Sequence, residues 1–87
     1  MMKPLQLLDT VALLKPISRE RLTLIEPDYE SIPSLPTGQV GTIVEVYDRA
    51  EDPLYLVEFC DRQGCEYAMA TLKENEIMAL HYELTVA

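Results

Sequence analysis

The apolar residues of this chain fall into short runs, each closed by proline, glycine or a cluster of acidic residues. Runs of that length, bounded that way, predict strands. Thr10-Val11-Ala12-Leu13-Leu14 is the first. Asp9-Thr10 at its head would also suit a turn or a helix start, but Pro16 removes a backbone donor and leaves little room for helical turns, so the strand is preferred. The organising stretch is Gly38-Gln39-Val40-Gly41-Thr42-Ile43-Val44-Glu45-Val46-Tyr47. Its two glycines permit a tight turn where a side chain would clash, and the β-branched run from Thr42 to Tyr47 then predicts a strongly bent second strand. Asp48 to Pro53 reads as a polar turn, Leu54 to Cys60 as the third strand, and Asp61-Arg62-Gln63-Gly64 as a hairpin loop with a glycine for positive φ. Cys65 to Thr71 is the fourth strand, Lys73-Glu74-Asn75 a 3₁₀ turn, and Glu76 to Leu80 the last strand. The expectation is a mainly β, small five-stranded barrel within residues 1–80, followed by a C-terminal tail, 81–87.

Residues 17–37 interrupt this rhythm. They contain Pro27, Pro33 and Pro36, an apolar island at Leu22-Thr23-Leu24-Ile25 and a polar run from Glu26 to Ser31. A connection beyond about 15 residues in a compact domain is usually functional or disordered, and the island argues against full disorder. Two readings stay open: a lid over one barrel opening, and a loop that docks a partner.

Register follows from the apolar positions, because a slip of one residue turns every side chain to the wrong face. With Val44 opposite Phe59 and Val46 opposite Val57, the inner face also collects Val57 opposite Ala68 and Tyr55 opposite Ala70. The outer face then gathers Glu45, Tyr47, Leu56, Glu58, Cys60, Cys65, Tyr67 and Met69, with Glu45 directly across from Glu58, a destabilising like-charge pair unless a cation is near. Aromatic and methionine side chains ringed by charge suit partner docking. The candidate partner-binding residues are therefore Glu45, Tyr47, Leu56, Glu58, Tyr67 and Met69. Coverage of the same face by the 22–25 island or by the tail is the competing reading.

Charge sharpens the choice of partner. The formal net charge is −8, distributed as +1 over residues 1–16, −2 over 17–39 and −7 over 40–87. Phosphate backbones and anionic membranes are bound by Lys and Arg, of which the chain has seven, so a basic protein partner suits the acidic region better than nucleic acid or membrane. A chain of 87 residues buries only about 60% of its unfolded surface, so a partner or a homo-oligomer would add stability. No apolar run approaches the ~20 residues of a membrane span, and the run at the N-terminus is too short for a signal peptide, which leads us to expect a cytoplasmic protein.

The residues quoted above also carry a resemblance. Leu7-Leu8-Asp9-Thr10-Val11-Ala12-Leu13-Leu14, then Gly38 to Tyr47, then Tyr55-Leu56-Val57-Glu58-Phe59 and Thr71-Leu72 resemble a bacterial family of short proteins of unknown function, over nearly the whole chain except 17–37 and the tail. More distantly, the Gly-x-x-Gly-x-Val-x-Val pattern followed by an aromatic-rich strand is similar to the SH3-like barrels of ribosomal and transcription-factor modules and of the nitrile hydratase β subunit. The resemblance implies an SH3-like barrel with a long loop between its first two strands and no catalytic residues, and some such proteins look like the small partner in toxin–antitoxin or immunity pairs. The 17–37 insert is longer than the corresponding loop of that family.

Candidate chemistry adds little. Cys60 and Cys65 flank the hairpin loop as expected cross-strand neighbours. Two free thiols are the simplest reading, with a redox-sensitive disulfide or a metal shared between two chains as alternatives. His81 is the only histidine and reads as a surface residue, with no nucleophile spaced for a triad. Asp48, Glu51, Asp52, Glu58, Asp61 and Glu66 lack the alternating ligands and central glycine of a calcium loop, so an acidic rim is preferred and no cofactor or metal is expected. The expected function is a non-catalytic protein-interaction module of the antitoxin-like or immunity-like kind that binds a basic partner. An accessory subunit of a larger enzyme complex and a nucleic-acid-binding barrel are the alternatives.

Overall fold

The computed structural model describes residues 5–25, 33–48 and 52–80, and its regular elements there are strands and two single 3₁₀ turns. The strands are β1 (Thr10–Leu13), β2 (Ile17–Ser18), β3 (Leu22–Leu24), β4 (Ser34–Leu35), β5 (Val40–Tyr47), β6 (Leu54–Cys60), β7 (Glu66–Lys73) and β8 (Ile77–Ala79). Six form one antiparallel sheet in the order β3-β7-β6-β5-β1-β8, and β2 pairs with β4 in a separate ribbon. The chain is thus mainly β, and the five expected strands correspond to β1, β5, β6, β7 and β8. The expected 3₁₀ turn is present at Glu74–Glu76, one residue later than its sequence reading.

The 17–37 segment is more than a lid or a docking loop. Its apolar island is β3, which adds a strand beside β7 with Leu22 opposite Ala70 and Leu24 opposite Ala68. Its ends form the β2–β4 ribbon, where Ile17 and Leu35 face each other and both are buried in the core. The polar run from Glu26 to Ser31, the middle of the turn at Arg49–Glu51, and the tail with His81 lie outside the described residues.

The two glycines at the head of β5 serve different ends. Gly38 adopts φ +90 in a turn closed by the Gln39 N–H on the Pro36 carbonyl, with open space where a side chain would be. Gly41 is the site of a close approach instead: a Cβ there would lie 2.6 Å from Val57 Cγ1, 2.8 Å from Phe59 Cδ1 and 2.9 Å from the Glu58 carbonyl oxygen. β5 and β6 can bend together over the core only because that position is bare.

This close approach overturns the expected register. Gly41, not Val44, stands opposite Phe59, and Ile43, not Val46, stands opposite Val57. A bulge between Ile43 and Glu45 then shifts the phase, so that Glu45 faces Leu56 and Val46 faces Tyr55. One extra residue in a strand resets which side each later residue takes. Ile43 is therefore buried before the bulge and Val46 packs on the core after it. Val57 faces Ala70 and Phe59 faces Ala68, a two-residue slip from expectation that keeps the inner face intact because the period of a strand is two. Phe59, Leu13, Ile17, Ile43, Leu72, Val11 and Val57 are the largest wholly buried side chains.

The ends of the sheet are tied by side chains. Glu76 immediately precedes β8 and Arg21 immediately precedes β3, the two outermost strands. The Arg21 guanidinium makes a fork to both oxygens of Glu76, Nη2 donating to Oε1 at 2.8 Å, and Lys15 Nζ lies 3.4 Å from Oε2. Glu76 Oε1 also accepts from the Lys73 N–H at 2.9 Å, which caps the 3₁₀ turn. Glu76 is only 4% exposed, and its partners hold its carboxyl down at about 2: the Arg21 hydrogen bond acts most strongly, against the opposing effect of burial, with the Lys73 N–H, the Arg21 charge and Lys15 adding to it.

Candidate functional site

The outer face of β5, β6 and β7 is laid out in three rows by the observed register. Thr42, Glu58, Met69 and Thr23 face one another in the first, Glu45, Leu56 and Thr71 in the second, and Tyr47, Leu54 and Lys73 in the third. Glu45 and Tyr47 are exposed, and Leu56, Glu58 and Met69 are partly exposed. Five of the six residues expected on this face, Glu45, Tyr47, Leu56, Glu58 and Met69, are therefore there.

Tyr67 is not. The ladder runs from Phe59↔Ala68 to Cys60↔Glu66 with an irregularity between, and Tyr67 is the residue passed over. It turns inward beside Ala68 and is only 6% exposed. Burial raises its phenol above the usual range, with smaller contributions from Asp61 and Cys60. A straight count of alternating positions misses this, since a bulge changes the count without changing the composition.

The expected opposition of Glu45 and Glu58 is also replaced. Glu58 faces Thr42, and its carboxyl meets Glu66 across the β6–β7 hairpin. Its proton affinity is raised first by burial, then by the Glu66 charge and a hydrogen bond with Glu66. The two carboxylates repel each other, and a cation between them would relieve that repulsion. Cys60 stands beside them, opposite Glu66, and its thiol is raised by burial, then by Glu66, Glu58 and Asp61. A raised thiol is a weaker nucleophile at neutral pH.

The hairpin tip follows its sequence. Gly64 adopts φ +81, Asp61 N–H donates to the Cys65 carbonyl at 2.9 Å, and Asp61 Oδ1 accepts from the Gln63 and Cys65 N–H groups, both at 2.9 Å. Cys60 is paired with Glu66 in the ladder rather than with Cys65, and neither cysteine is in a disulfide. The ladder partner of Cys60 is thus one residue beyond Cys65, and Cys65 stays close enough to add to the rise of the Cys60 thiol.

Beyond the third row, Asp52, Pro53, Lys73, Glu74 and Asn75 line an open cleft of about 190 Å³. It carries both signs of charge. Thr42, Thr71 and Leu54 were not proposed for this face from sequence, and Glu66 was read only as part of the acidic rim. Among the described residues no group of three or more His, Cys, Asp and Glu side chains is placed to hold a metal ion, and no helix is long and apolar enough to cross a membrane.

No curated protein and no solved structure matches this chain. A sequence family does: residues 7–79 fit the domain of unknown function DUF4926, a span that runs from the turn before β1 to the end of β8, and the chain belongs to that family.

Proposed function

We propose that this chain is a non-catalytic interaction module that holds a basic segment of a partner protein on the outer face of β5, β6 and β7. The observation that carries the reading is the contact between Glu58 and Glu66 on a face that also offers Met69, Leu56 and Tyr47. A lysine or arginine side chain set between the two carboxyls relieves their repulsion, while the apolar groups supply contact area around it. Tyr67 is left out of the surface, and Glu66 takes its place. The five strands β1, β5, β6, β7 and β8, with the 3₁₀ turn before the last one, support an SH3-like barrel as the scaffold. A cytoplasmic, antitoxin-like protein that neutralises a basic neighbour is the form this reading takes.

A pull-down from the native host at low and high salt, with mass spectrometry of what is retained, tests it. The expected result is a basic protein retained at low salt and lost at high salt, with Glu58→Lys and Glu66→Lys abolishing capture. Capture that is indifferent to salt and to both reversals sinks the reading.

A further inference from the structure

The outer face extends beyond the three rows already described. Val40 precedes Gly41 and Cys60 follows Phe59, so the antiparallel register that pairs Gly41 with Phe59 sets Val40 beside Cys60, and Cys60 in turn faces Glu66. In the other direction Val40 faces Ala12 on β1, and Ala12 faces Met78 on β8. Residues in register across a sheet share a face, so Met78, Ala12, Val40, Cys60 and Glu66 form one row that crosses from β8 to β7. Glu58 stands two residues before Cys60 and therefore on the same side.

The two ends of this row differ in chemistry. Val40 and Met78 are 45% and 50% exposed, and the Ala12 methyl between them is only 9% exposed. Single exposed aliphatic side chains need no explanation, but these lie directly opposite one another and make a continuous patch. The alternate positions Val11, Leu13 and Ile77 already fill the core, so the outer ones are not needed there. The other end is acidic. The carboxyls of Glu58 and Glu66 meet there, and among the described residues no cation is placed between them.

Charge decides between occupants. A second copy of a chain of net charge −8 would bring further carboxylate to a row that already ends in two. A purely cationic segment leaves the apolar end uncovered, and a purely apolar one leaves the carboxylates unmet. We propose, building on the basic-partner reading above, that the segment held on this face is amphipathic: its lysine or arginine meets Glu58 and Glu66, and aliphatic side chains of the same segment lie on Val40, Ala12 and Met78. Neighbouring strands are about 4.8 Å apart, so the cation at β7 and the nearest aliphatic side chain at β5 are held about 10 Å apart, and the row runs on to β8 about 10 Å further. The apolar end supplies what charge alone does not. It selects partners whose basic residues are accompanied by Leu, Ile, Val or Met over partners that are merely basic.

The test is fluorescence anisotropy on the full chain at low salt, with two short labelled peptides of equal charge, one built from lysine and leucine and the other from lysine and serine. The lysine–leucine peptide is expected to bind about tenfold more tightly. Val40→Ser and Met78→Ser, each with unchanged circular dichroism, are expected to bring that ratio toward one, which separates contact with the row from the general stickiness of leucine. Glu66→Lys is expected to weaken both peptides together. Equal binding of the two peptides, both lost with Glu66→Lys, overturns the proposal and leaves the basic-partner site standing. Binding of both that ignores Glu66→Lys, or no binding of either, overturns that site and the proposal with it. A ratio that survives both serine variants overturns the proposal alone, because the leucines then lie elsewhere. So does concentration-dependent sedimentation of the free chain that either serine variant abolishes, because a second copy is then the occupant.

Discussion

Two glutamates on opposite sides of this small sheet show how the same side chain is put to different ends. Glu76 is surrounded by Arg21, Lys15 and the Lys73 N–H, and its carboxyl is held at about 2. Glu58 is met by Glu66, and its carboxyl is pushed up. The first environment favours the charge and joins the entries to the two edge strands. The second disfavours it, and among the described residues no cation is placed at that contact. On the proposed reading, stability resides in one region and partner binding in the other, because a fully satisfied charge has nothing left to offer a partner.

The strongest way to break this contrast is to remove the cation from the satisfied site. Arg21→Met strands a buried carboxylate with only Lys15 and the Lys73 N–H, at an expected cost on the order of 3 kcal/mol in urea unfolding. A loss of a few tenths would show that the fork does not join the sheet ends.

Acid probes the same site without mutation. The folded carboxyl of Glu76 lies at about 2, below its ordinary value of 4.5, so its contribution is fully present above pH ~4.5 and is lost as pH falls toward ~2. On the order of 2 to 3 kcal/mol should disappear over that window, after allowance for the part-exposed Arg21. Glu76→Gln should flatten that part of the pH profile.

Gly41→Ala tests the register on which both regions depend. The added methyl meets Val57, Phe59 and the Glu58 carbonyl at less than 3.0 Å, and the expected cost is about 2 kcal/mol. Gly38→Ala should also destabilise, though through its positive φ and not through a clash.

The smallest effect on stability belongs to the unsatisfied site. Glu58→Gln should stabilise the free chain at neutral pH by about 0.5 kcal/mol while slowing association with a basic partner at low salt. A change of the same sign in both measurements would remove the contrast with Glu76.

Much of the fold was legible in the chain. Proline and glycine placed the turns, the apolar and β-branched runs placed β1, β5, β6 and β7, and Gly64 and Asp61 specified the hairpin tip through φ and side-chain acceptance. These are local effects, and local sequence contains them. The island at Leu22–Leu24 was visible as apolar, but nothing local said that it would pair with β7 as a strand rather than cover a barrel opening. The candidate face was legible for Glu45, Tyr47, Leu56, Glu58 and Met69, and illegible for Tyr67.

What the sequence by itself determined is the mainly β character, the turns and the concentration of negative charge after residue 40. What only the tertiary structure decided is register: the bare approach at Gly41, the bulge after Ile43 and the irregularity that buries Tyr67 set which side chains meet. Those meetings bring Arg21 to Glu76 across 55 residues and Glu58 to Glu66 instead of Glu45. The physical reason is that a strand's local preferences are identical on either face of a sheet. Only packing against the rest of the chain chooses between them.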